Sequence, residues 1–360
     1  MSLQVRATPF HGPAAAASRL NLWEPREGWT VAAVYEDAAQ EALAARLTVA
    51  MADISWRWRV AVDGARAEEF LARLLTRDPA SLAPGEAFKA LWLSDGGALR
   101  GAGLLARNGR DSFMLVSACA DPLWIARAAA LFDVKVHEIA EAEGMLAVVG
   151  PYAARLLAAA GLDPDLAQLR FRKLFWRGIE VTLSRFGEHE GFEIACSATD
   201  APLVWDRLAK VGRAYALEPA GMRAMDILDM EAGVPRPGRD YRPARGGFDS
   251  MPAPEDIGLG SLVDPDHVGF NGRSARAGLP ASRVRMGIVF DSDVPAANAV
   301  IAEGGRTLSS VYSPALRSAI ALAMLEPRLG TPNTQVRLAD GTPGLVTALP
   351  FLPPPVPLPR

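Results

Sequence analysis

Cysteine and histidine are scarce in this sequence of 360 residues. It contains two cysteines, Cys119 and Cys196, both inside apolar segments, and four histidines without an HxH or HxxxH spacing. A disulfide framework needs several paired cysteines, and a structural zinc site needs closely spaced thiolates and imidazoles. We therefore expect no disulfide framework and no metal site.

The sequence also lacks a large excess of charge of either sign and any apolar run long enough to span a membrane. Its net charge is -3 and its pI is near 5.9, so it has no global basic field that would attract nucleic acid. No segment approaches the ~18 apolar residues of a membrane span. Pro9 and Pro13 interrupt the N-terminal segment where a signal peptide would lie. We expect a cytoplasmic protein that binds neither nucleic acid nor a membrane.

Apolar residues make up 50% of the chain, enough for a large packed core. Alternating and helically spaced apolar residues predict strands and helices in the order of a split βαβ unit between residues 52 and 132. A similar order from residue 145 to 212 resembles an internal duplication. Short strands after residue 283 predict a small C-terminal β-barrel. The expected fold is α+β, with two split βαβ subdomains in residues 1–275 and a barrel domain in residues 276–360.

Four stretches resemble the folate-binding aminomethyltransferases, a family that includes the T-protein of the glycine cleavage system and its demethylase relatives. They are ADISWRWRVAVDGARAEEFLARLLTRDPASLAPGEA, GEHEGFEI, PAGMRAMDILDMEAGVP, and VYSPALRSAIALAMLE with GLVTALPF. The four follow one another in the family's order and extend over almost the whole chain. The resemblance implies a T-protein-like ring of three subdomains, in which tetrahydrofolate enters a central hole.

The resemblance also implies a set of cofactor-binding residues. Glu193 matches the glutamate that the family presents to the pterin ring, and a carboxylate can accept two N–H hydrogen bonds there. Phe186 replaces an aromatic residue that packs on folate, and stacking needs only the ring. Ser117 stands where the family has an asparagine, and Met225 where it has an arginine that pairs with folate. Each also has a structural alternative, as a salt-bridged glutamate, a core phenylalanine, a structural serine or a space-filling methionine.

The largest departure from the family pattern lies just after the Gly-Gly turn. The family has an acidic pair at positions that are Arg100 and Gly101 in this chain. A fixed cation disfavours a protonated amine and favours a carboxylate or phenolate. We therefore expect Arg100 to act in catalysis by facing an anionic group of the methyl donor. A surface arginine on a hairpin is the equally weighted alternative.

Three further residues are expected near the reaction. His189 lies between Glu188 and Glu190, close in sequence to the proposed pterin glutamate, and is expected to take part in acid–base chemistry. A histidine in an exposed turn is the alternative. Trp29 and Tyr35 match positions where the family has aromatic residues on the substrate side, which predicts a place in the substrate pocket.

These expectations combine into a tetrahydrofolate-dependent methyltransferase or demethylase that acts on a small, anionic methyl donor. One alternative is a non-catalytic folate-binding or assembly protein, a branch that carries a cysteine motif of the type KGCYxGQE. The corresponding stretch here, LVDPDHVGFNGRSA, has no cysteine. Another alternative is a folate-binding partner of a separate oxidase subunit. The chain has no GxGxxG motif, so a flavin would belong to that other subunit.

Overall fold

The computed structural model describes residues 5–244, 253–276 and 283–356. The chain begins with a three-stranded sheet, two helices and a strand that joins the next sheet. These elements are β1 (Arg6–Ala7), α1 (His11–Ala17), β2 (Leu22–Arg26), β3 (Trp29–Val34), α2 (Ala38–Leu47) and β4 (Val49–Asp53). Glu27 and Gly28 form the two-residue turn between β2 and β3, with φ of 45° and 82°. Positive φ at both positions is what a type I′ hairpin requires.

The first predicted split βαβ unit forms a five-stranded antiparallel sheet with two helices. Its elements are β5 (Trp58–Asp63), α3 (Ala67–Leu74), β6 (Ala87–Leu93), β7 (Leu99–Gly109), β8 (Ser112–Ser117), α4 (Pro122–Ala129) and β9 (Lys135–Glu138). The strand order is β6-β7-β8-β5-β9. Helix α3 buries Phe70, Leu71 and Leu74 against this sheet, the residues that its helical spacing places on one face.

The second unit follows directly and forms a larger sheet. Its elements are β10 (Glu143–Val149), α5 (Ala153–Ala160), β11 (Phe171–Trp176), β12 (Ile179–Ser184), β13 (Gly191–Ser197), α6 (Ala201–Gly212) and β14 (Leu217–Pro219). The strand order is β11-β12-β13-β10-β4-β14, so β4 from the N-terminal part is inserted between β10 and β14.

The two units share one topology, which confirms the predicted duplication of element order. In the first unit the last strand, β9, runs antiparallel to β5. In the second, β14 runs parallel to β4, and β4 runs antiparallel to β10. The last strand of each unit therefore has the same direction relative to the first strand of that unit. The insertion of β4 is the difference between the two sheets.

The C-terminal part is a nearly closed small barrel, as predicted. Between β14 and the barrel lie α7 (Met222–Glu231) and α8 (Arg273–Arg276). The barrel strands are β15 (Val284–Phe290), β16 (Val300–Ile301), β17 (Gly305–Ser313), β18 (Ser318–Leu325), β19 (Gln335–Arg337) and β20 (Pro343–Thr347). Their order is β16-β17-β18-β15-β20-β19, and a bridge between Ile301 and Leu338 joins the two edges. The predicted domain boundary at 275/276 falls in α8, just before residues 277–282, which lie outside the described residues.

Helix α7 is held close to β3, and this position brings its polar residues toward the centre of the molecule. A Cβ atom at Gly221, directly before the helix, would lie 2.4 Å from the carbonyl oxygen of Ala33 on β3, so only glycine permits this approach. The helix buries Ala224 and Leu228 in a core that it shares with α2 and β4. Across the described ranges, no helix is both long and apolar enough to cross a lipid bilayer.

Candidate functional site

A cavity of about 770 Å³ lies where the N-terminal part, the two split βαβ units and the barrel meet. Its wall is formed by the β2–β3 hairpin, the β4–β5 connection, β6, β7, β8, β13 with the segment before it, α7 with the segment after it, residues 258–262 and the start of β15. Its volume falls within the range of about 300–1,000 Å³ that is typical of small-molecule sites. The acidic residues of the wall are Glu24, Glu27, Glu188, Glu193, Asp226 and Asp229. The basic ones are Arg26, Arg57, Lys89, Arg236, Arg239 and Arg285.

Glu193, the predicted pterin ligand, lines this cavity. It lies on β13, and its neighbours Phe192 and Ile194 are buried in the apolar core on the other face of the strand. The Glu193 side chain is 4% exposed, and Arg57 Nη1 donates a hydrogen bond to its Oε1 at 2.7 Å. Within the described part of the chain, no hydrogen bond is donated to Oε2. That oxygen can therefore accept a hydrogen bond from an N–H group in the cavity.

Phe186 and Met225 also line the cavity and supply apolar surface. Phe186 is buried and packs edge-on against Phe171, with ring centroids 5.6 Å apart. Met225 lies on α7 and is buried as well. A flat ring system can pack on such surfaces without any polar contact.

Ser117 lines the cavity, but its hydroxyl is occupied by the backbone. Its Oγ lies within hydrogen-bond distance of the carbonyl oxygens of Ala102 (2.9 Å) and Cys119 (3.1 Å), and it accepts from the backbone N–H of Cys119 at 3.1 Å. A hydroxyl has one proton to donate. The geometry therefore favours the structural alternative, in which Ser117 fixes the end of β8.

Arg100 lies on β7, outside the cavity wall. Its Nε and Nη2 donate to the carboxylate of Asp121 at 2.8 Å each, and its guanidinium stacks on Trp124 at 4.1 Å from the ring centroid. The indole of Trp92 fills the space beside Gly101, where a Cβ would lie 2.0 Å from the ring, and donates to Asp121 at 3.2 Å. The charge of Arg100 is thus already neutralised by a buried carboxylate, and this geometry does not support contact with an anionic donor.

Trp29 and Tyr35, the two expected pocket aromatics, are buried away from the cavity. Trp29 lies on β3 under the guanidinium of Arg6, which is 4.4 Å from the ring centroid. Tyr35 belongs to the core of the second unit and stacks on Trp205, with centroids 6.4 Å apart. Its hydroxyl has no hydrogen-bond partner in the described residues, and burial raises its pKa. Both side chains contribute to packing in this geometry.

His189 lies behind the cavity wall rather than in it. Its Nε2 is 2.9 Å from Oδ1 of Asp229, and Asp229 lines the large cavity. His189 itself lines a smaller pocket of about 180 Å³, so the two residues connect the two spaces. Burial acts to raise the pKa of Asp229, but its hydrogen bond to His189 and the charges of His189, Arg236 and Arg57 hold the pKa below its ordinary value. Asp229 is therefore a carboxylate held in its ionised form at the cavity wall.

A cluster of arginines surrounds Asp226 on α7 and was not predicted from the sequence. The carboxylate of Asp226 lies 2.7 Å from Arg26, 2.6 Å from Arg239 and 3.3 Å from Arg236. Arg26 comes from β2, so no local pattern links it to this helix. Asp226 directly follows Met225 in the stretch that resembles the family, and this polar position on a mostly buried helix was the signal available.

The sequence and the fold are similar to those of known proteins. The model of the GCVT N-terminal domain matches residues 17–265. An aminomethyltransferase of Frankia alni is 32% identical over 348 residues, covering 91% of this chain and 92% of that protein. One from Halalkalibacterium halodurans is 27% identical over 329 residues, covering 86% and 87%. The crystal structure of the glycine cleavage system aminomethyltransferase T from Bartonella henselae superimposes with a TM-score of 0.87 at 26% identity, covering 98% of this chain and 99% of that one. This chain therefore belongs to the aminomethyltransferase family.

Proposed function

We propose that this protein transfers a methyl group from a small, anionic donor to tetrahydrofolate. The observation that carries the proposal is Glu193, whose carboxylate has one oxygen held by Arg57 and the other facing a cavity of suitable size. Phe186 and Met225 lie in the same wall and offer apolar surface for a ring system.

The residues of the wall fit a reduced pterin. Glu193 can accept an N–H hydrogen bond at Oε2 while Arg57 keeps the carboxylate in place. Tetrahydrofolate supplies N5, the nitrogen that receives the carbon. The role of the protein is then to hold the acceptor and the donor at reacting distance, a proximity effect. Ser117 contributes by fixing the backbone of β8 rather than by a ligand contact.

Methyl transfer also relocates a proton. The new bond to nitrogen forms as the bond between the methyl carbon and its former heteroatom breaks, and the proton on the nitrogen leaves while the released heteroatom gains one. Among the carboxylates of the cavity wall, we assign this proton transfer to Asp229, which is ionised and contacts His189. His189 acts through Asp229, as a positioning residue that donates to or shares a proton with Oδ1 at 2.9 Å.

The preference for an anionic donor rests on the arginines of the cavity and no longer on Arg100. Three guanidinium groups lie around the carboxylate of Asp226. Arg26 also pairs with Glu24 and Arg236 with Asp240, whereas Arg239 is 45% exposed and can turn toward a ligand. A carboxylate or phenolate of the donor can form charge-assisted hydrogen bonds with such groups.

The test is a titration with tetrahydrofolate, followed by a screen of carboxylated and phenolic methyl compounds for 5-methyl-tetrahydrofolate. Glu193→Gln replaces the acceptor with an amide and should weaken tetrahydrofolate binding about 10-fold to 100-fold, the loss expected for a hydrogen bond to a charged group. Glu190→Gln is the matched control, because Glu190 also pairs with an arginine, Arg185 at 2.8 Å, but does not line the large cavity.

Equal tetrahydrofolate affinities for wild type, Glu193→Gln and Glu190→Gln would contradict the role of Glu193. No binding by the wild type at near-millimolar tetrahydrofolate would remove the proposed function. Binding without turnover of any donor would favour the alternative of a non-catalytic folate-binding protein. A separate oxidase subunit stays a prediction from the resemblance.

A further inference from the structure

Arg285 lies where the barrel, helix α7 and the loop after residue 253 meet at the large cavity. It is the second residue of β15, and it lines the cavity wall. Its Nη1 donates to the carbonyl oxygen of Gly233, two residues after the end of α7. The backbone of the loop lies close to its guanidinium, because a Cβ at Gly258 would be 2.9 Å from Nη2. Gly258 has φ of +75°, so glycine suits this position for two reasons.

Arg285 differs from the other basic residues of the wall in having no counter-ion among the residues that the structure describes. Each of the others lies within salt-bridge distance of a carboxylate, the pairs being Arg26–Asp226, Arg57–Glu193, Lys89–Glu188, Arg236–Asp240 and Arg239–Asp226. Within residues 5–244, 253–276 and 283–356, Arg285 forms no salt bridge, and its buried Nε has no hydrogen-bond acceptor. Asp240 attracts it at longer range but is bonded to Arg236 and Ser309.

A buried cation without a counter-ion is unfavourable, because it loses hydration without gaining a partner. Burial accordingly lowers the pKa of Arg285, and the charge of Asp240 only partly opposes this effect. An anionic group entering the cavity would provide the missing partner. The planar guanidinium favours a carboxylate, whose two oxygens match its N–H groups.

We propose that Arg285 binds a carboxylate group of a molecule held in the large cavity. The proposal rests on the proposed function, since that function brings tetrahydrofolate, which has a glutamyl part, and an anionic methyl donor to this site. The carboxylate belongs either to the methyl donor or to the glutamyl part of tetrahydrofolate. Both sources present the same chemistry to the guanidinium.

A purely structural role of Arg285 would give a different experimental result. The hydrogen bond to Gly233 places a positive charge near the C-terminal end of α7, which stabilises a helix through its dipole. If this were the whole role of Arg285, its loss would lower thermal stability and leave the preference for carboxylates unchanged. Binding selectivity therefore separates the two roles.

The experiment compares wild type with Arg285→Met, which removes the charge and keeps most of the length, and with Arg285→Lys, which keeps the charge. Arg306→Met is the control, because Arg306 is an exposed arginine on β17 of the same barrel sheet. One arm measures binding of acetate and benzoate against acetamide and benzamide. The other arm measures tetrahydrofolate against 6-methyltetrahydropterin, which has no carboxylate.

Arg285→Met should weaken binding of the carboxylated probes about 10-fold to 100-fold and leave the uncharged probes unchanged. Arg285→Lys should recover part of the loss, and Arg306→Met should match wild type. An effect in the first arm alone assigns the carboxylate to the donor, and an effect in the second arm alone assigns it to the glutamyl part. The same selectivity in wild type and Arg285→Met in both arms would overturn the proposal. The wild type could also fail to bind tetrahydrofolate while it still binds benzoate through Arg285. That result would contradict the proposed function and support the carboxylate site.

Discussion

Two ion pairs of the same chemistry lie in two different regions of the molecule. Arg100 and Asp121 belong to the first split βαβ unit, with side chains 12% and 4% exposed, and lie outside the cavity wall. Arg57 and Glu193 connect the first unit to the second, with side chains 27% and 4% exposed, and line the cavity. In the first pair both carboxylate oxygens of Asp121 accept hydrogen bonds from Arg100, and one also accepts from Trp92. In the second pair, one carboxylate oxygen of Glu193 is left for a ligand.

The two units share one topology but contribute different kinds of side chain to the cavity. Apart from Lys89, which pairs with Glu188 of the second unit, the first unit contributes mainly small or apolar side chains to the cavity, such as Gly103, Leu104 and Val116. The second unit and the helix after it contribute Glu193 and Asp229. A charged residue in the first unit therefore mainly stabilises the wall, and the same residue type in the second can bind or react. Three substitutions can break or sharpen this division.

The largest effect is expected from Arg100→Met, and it should fall on stability. The substitution removes the guanidinium that donates to both oxygens of the buried Asp121 carboxylate, and breaking a buried ion pair typically lowers the free energy of unfolding by about 3–5 kcal/mol. Urea unfolding followed by circular dichroism measures the change. The Michaelis constant for the methyl donor should stay at the wild-type value, because Arg100 does not line the cavity.

The double variant Arg100→Met with Asp121→Leu is the control for this assignment. It removes both charges together, so much of the lost stability should return. If Arg100→Met is as stable as wild type but binds anionic donors more weakly, the structural role of Arg100 is contradicted. The expectation from the sequence that Arg100 faces the donor would then be supported.

The next largest effect is expected from Asp229→Asn, and it should fall on turnover. The asparagine keeps the shape and a contact with His189 but cannot accept a proton, so kcat should fall about 100-fold, the lower end of what general acid–base catalysis contributes. Steady-state kinetics with tetrahydrofolate and donor at saturating concentrations measures the change in kcat. Asp226→Asn, at a cavity-lining carboxylate held by three arginines, should affect donor binding more than kcat.

The pH dependence of stability provides a second readout at Asp229. Its pKa in the folded protein lies below the ordinary value of 3.8, so the ionised form stabilises the fold above about pH 4. This contribution is lost as the pH falls through the folded-state pKa. The difference in unfolding free energy between wild type and Asp229→Asn should therefore shrink on acidification. A difference that is constant from pH 3 to pH 7 would show that the carboxylate charge does not contribute.

The sequence predicted the parts of this structure that depend on local pattern. The order of elements gave the duplicated units and the barrel, and the position of Glu193 between Phe192 and Ile194 placed it on the face that meets the cavity. Contacts between distant segments could not be predicted in this way. Arg59 alternates with apolar residues, a pattern that predicts an exposed side chain, but it is fully buried and donates to the carbonyl oxygen of Glu143 at 2.7 Å.

The pairing of Arg100 with Asp121 also depends on contacts between separate segments of the chain. Asp121 follows β8 at the start of α4, and only the packing of that helix end beside β7 brings its carboxylate to the guanidinium. The arginine cluster around Asp226 likewise depends on the β2–β3 hairpin lying beside α7. In each case the residue types were visible in the sequence, and the distances that decide their roles were set by tertiary structure.

The smallest effect is expected from Tyr35→Phe, which tests the boundary between cavity and core. The Tyr35 hydroxyl is buried without a hydrogen-bond partner in the described residues, so its removal should raise the free energy of unfolding by about 1 kcal/mol. Tyr152→Phe is a control at a partly exposed tyrosine on the same core, where little change is expected. Urea unfolding measures the stability, and donor titration measures the affinity. If Tyr35→Phe instead weakened donor binding and left stability unchanged, the substrate would reach this hydroxyl and Tyr35 would belong to the pocket, as its resemblance to the family's aromatic positions predicts.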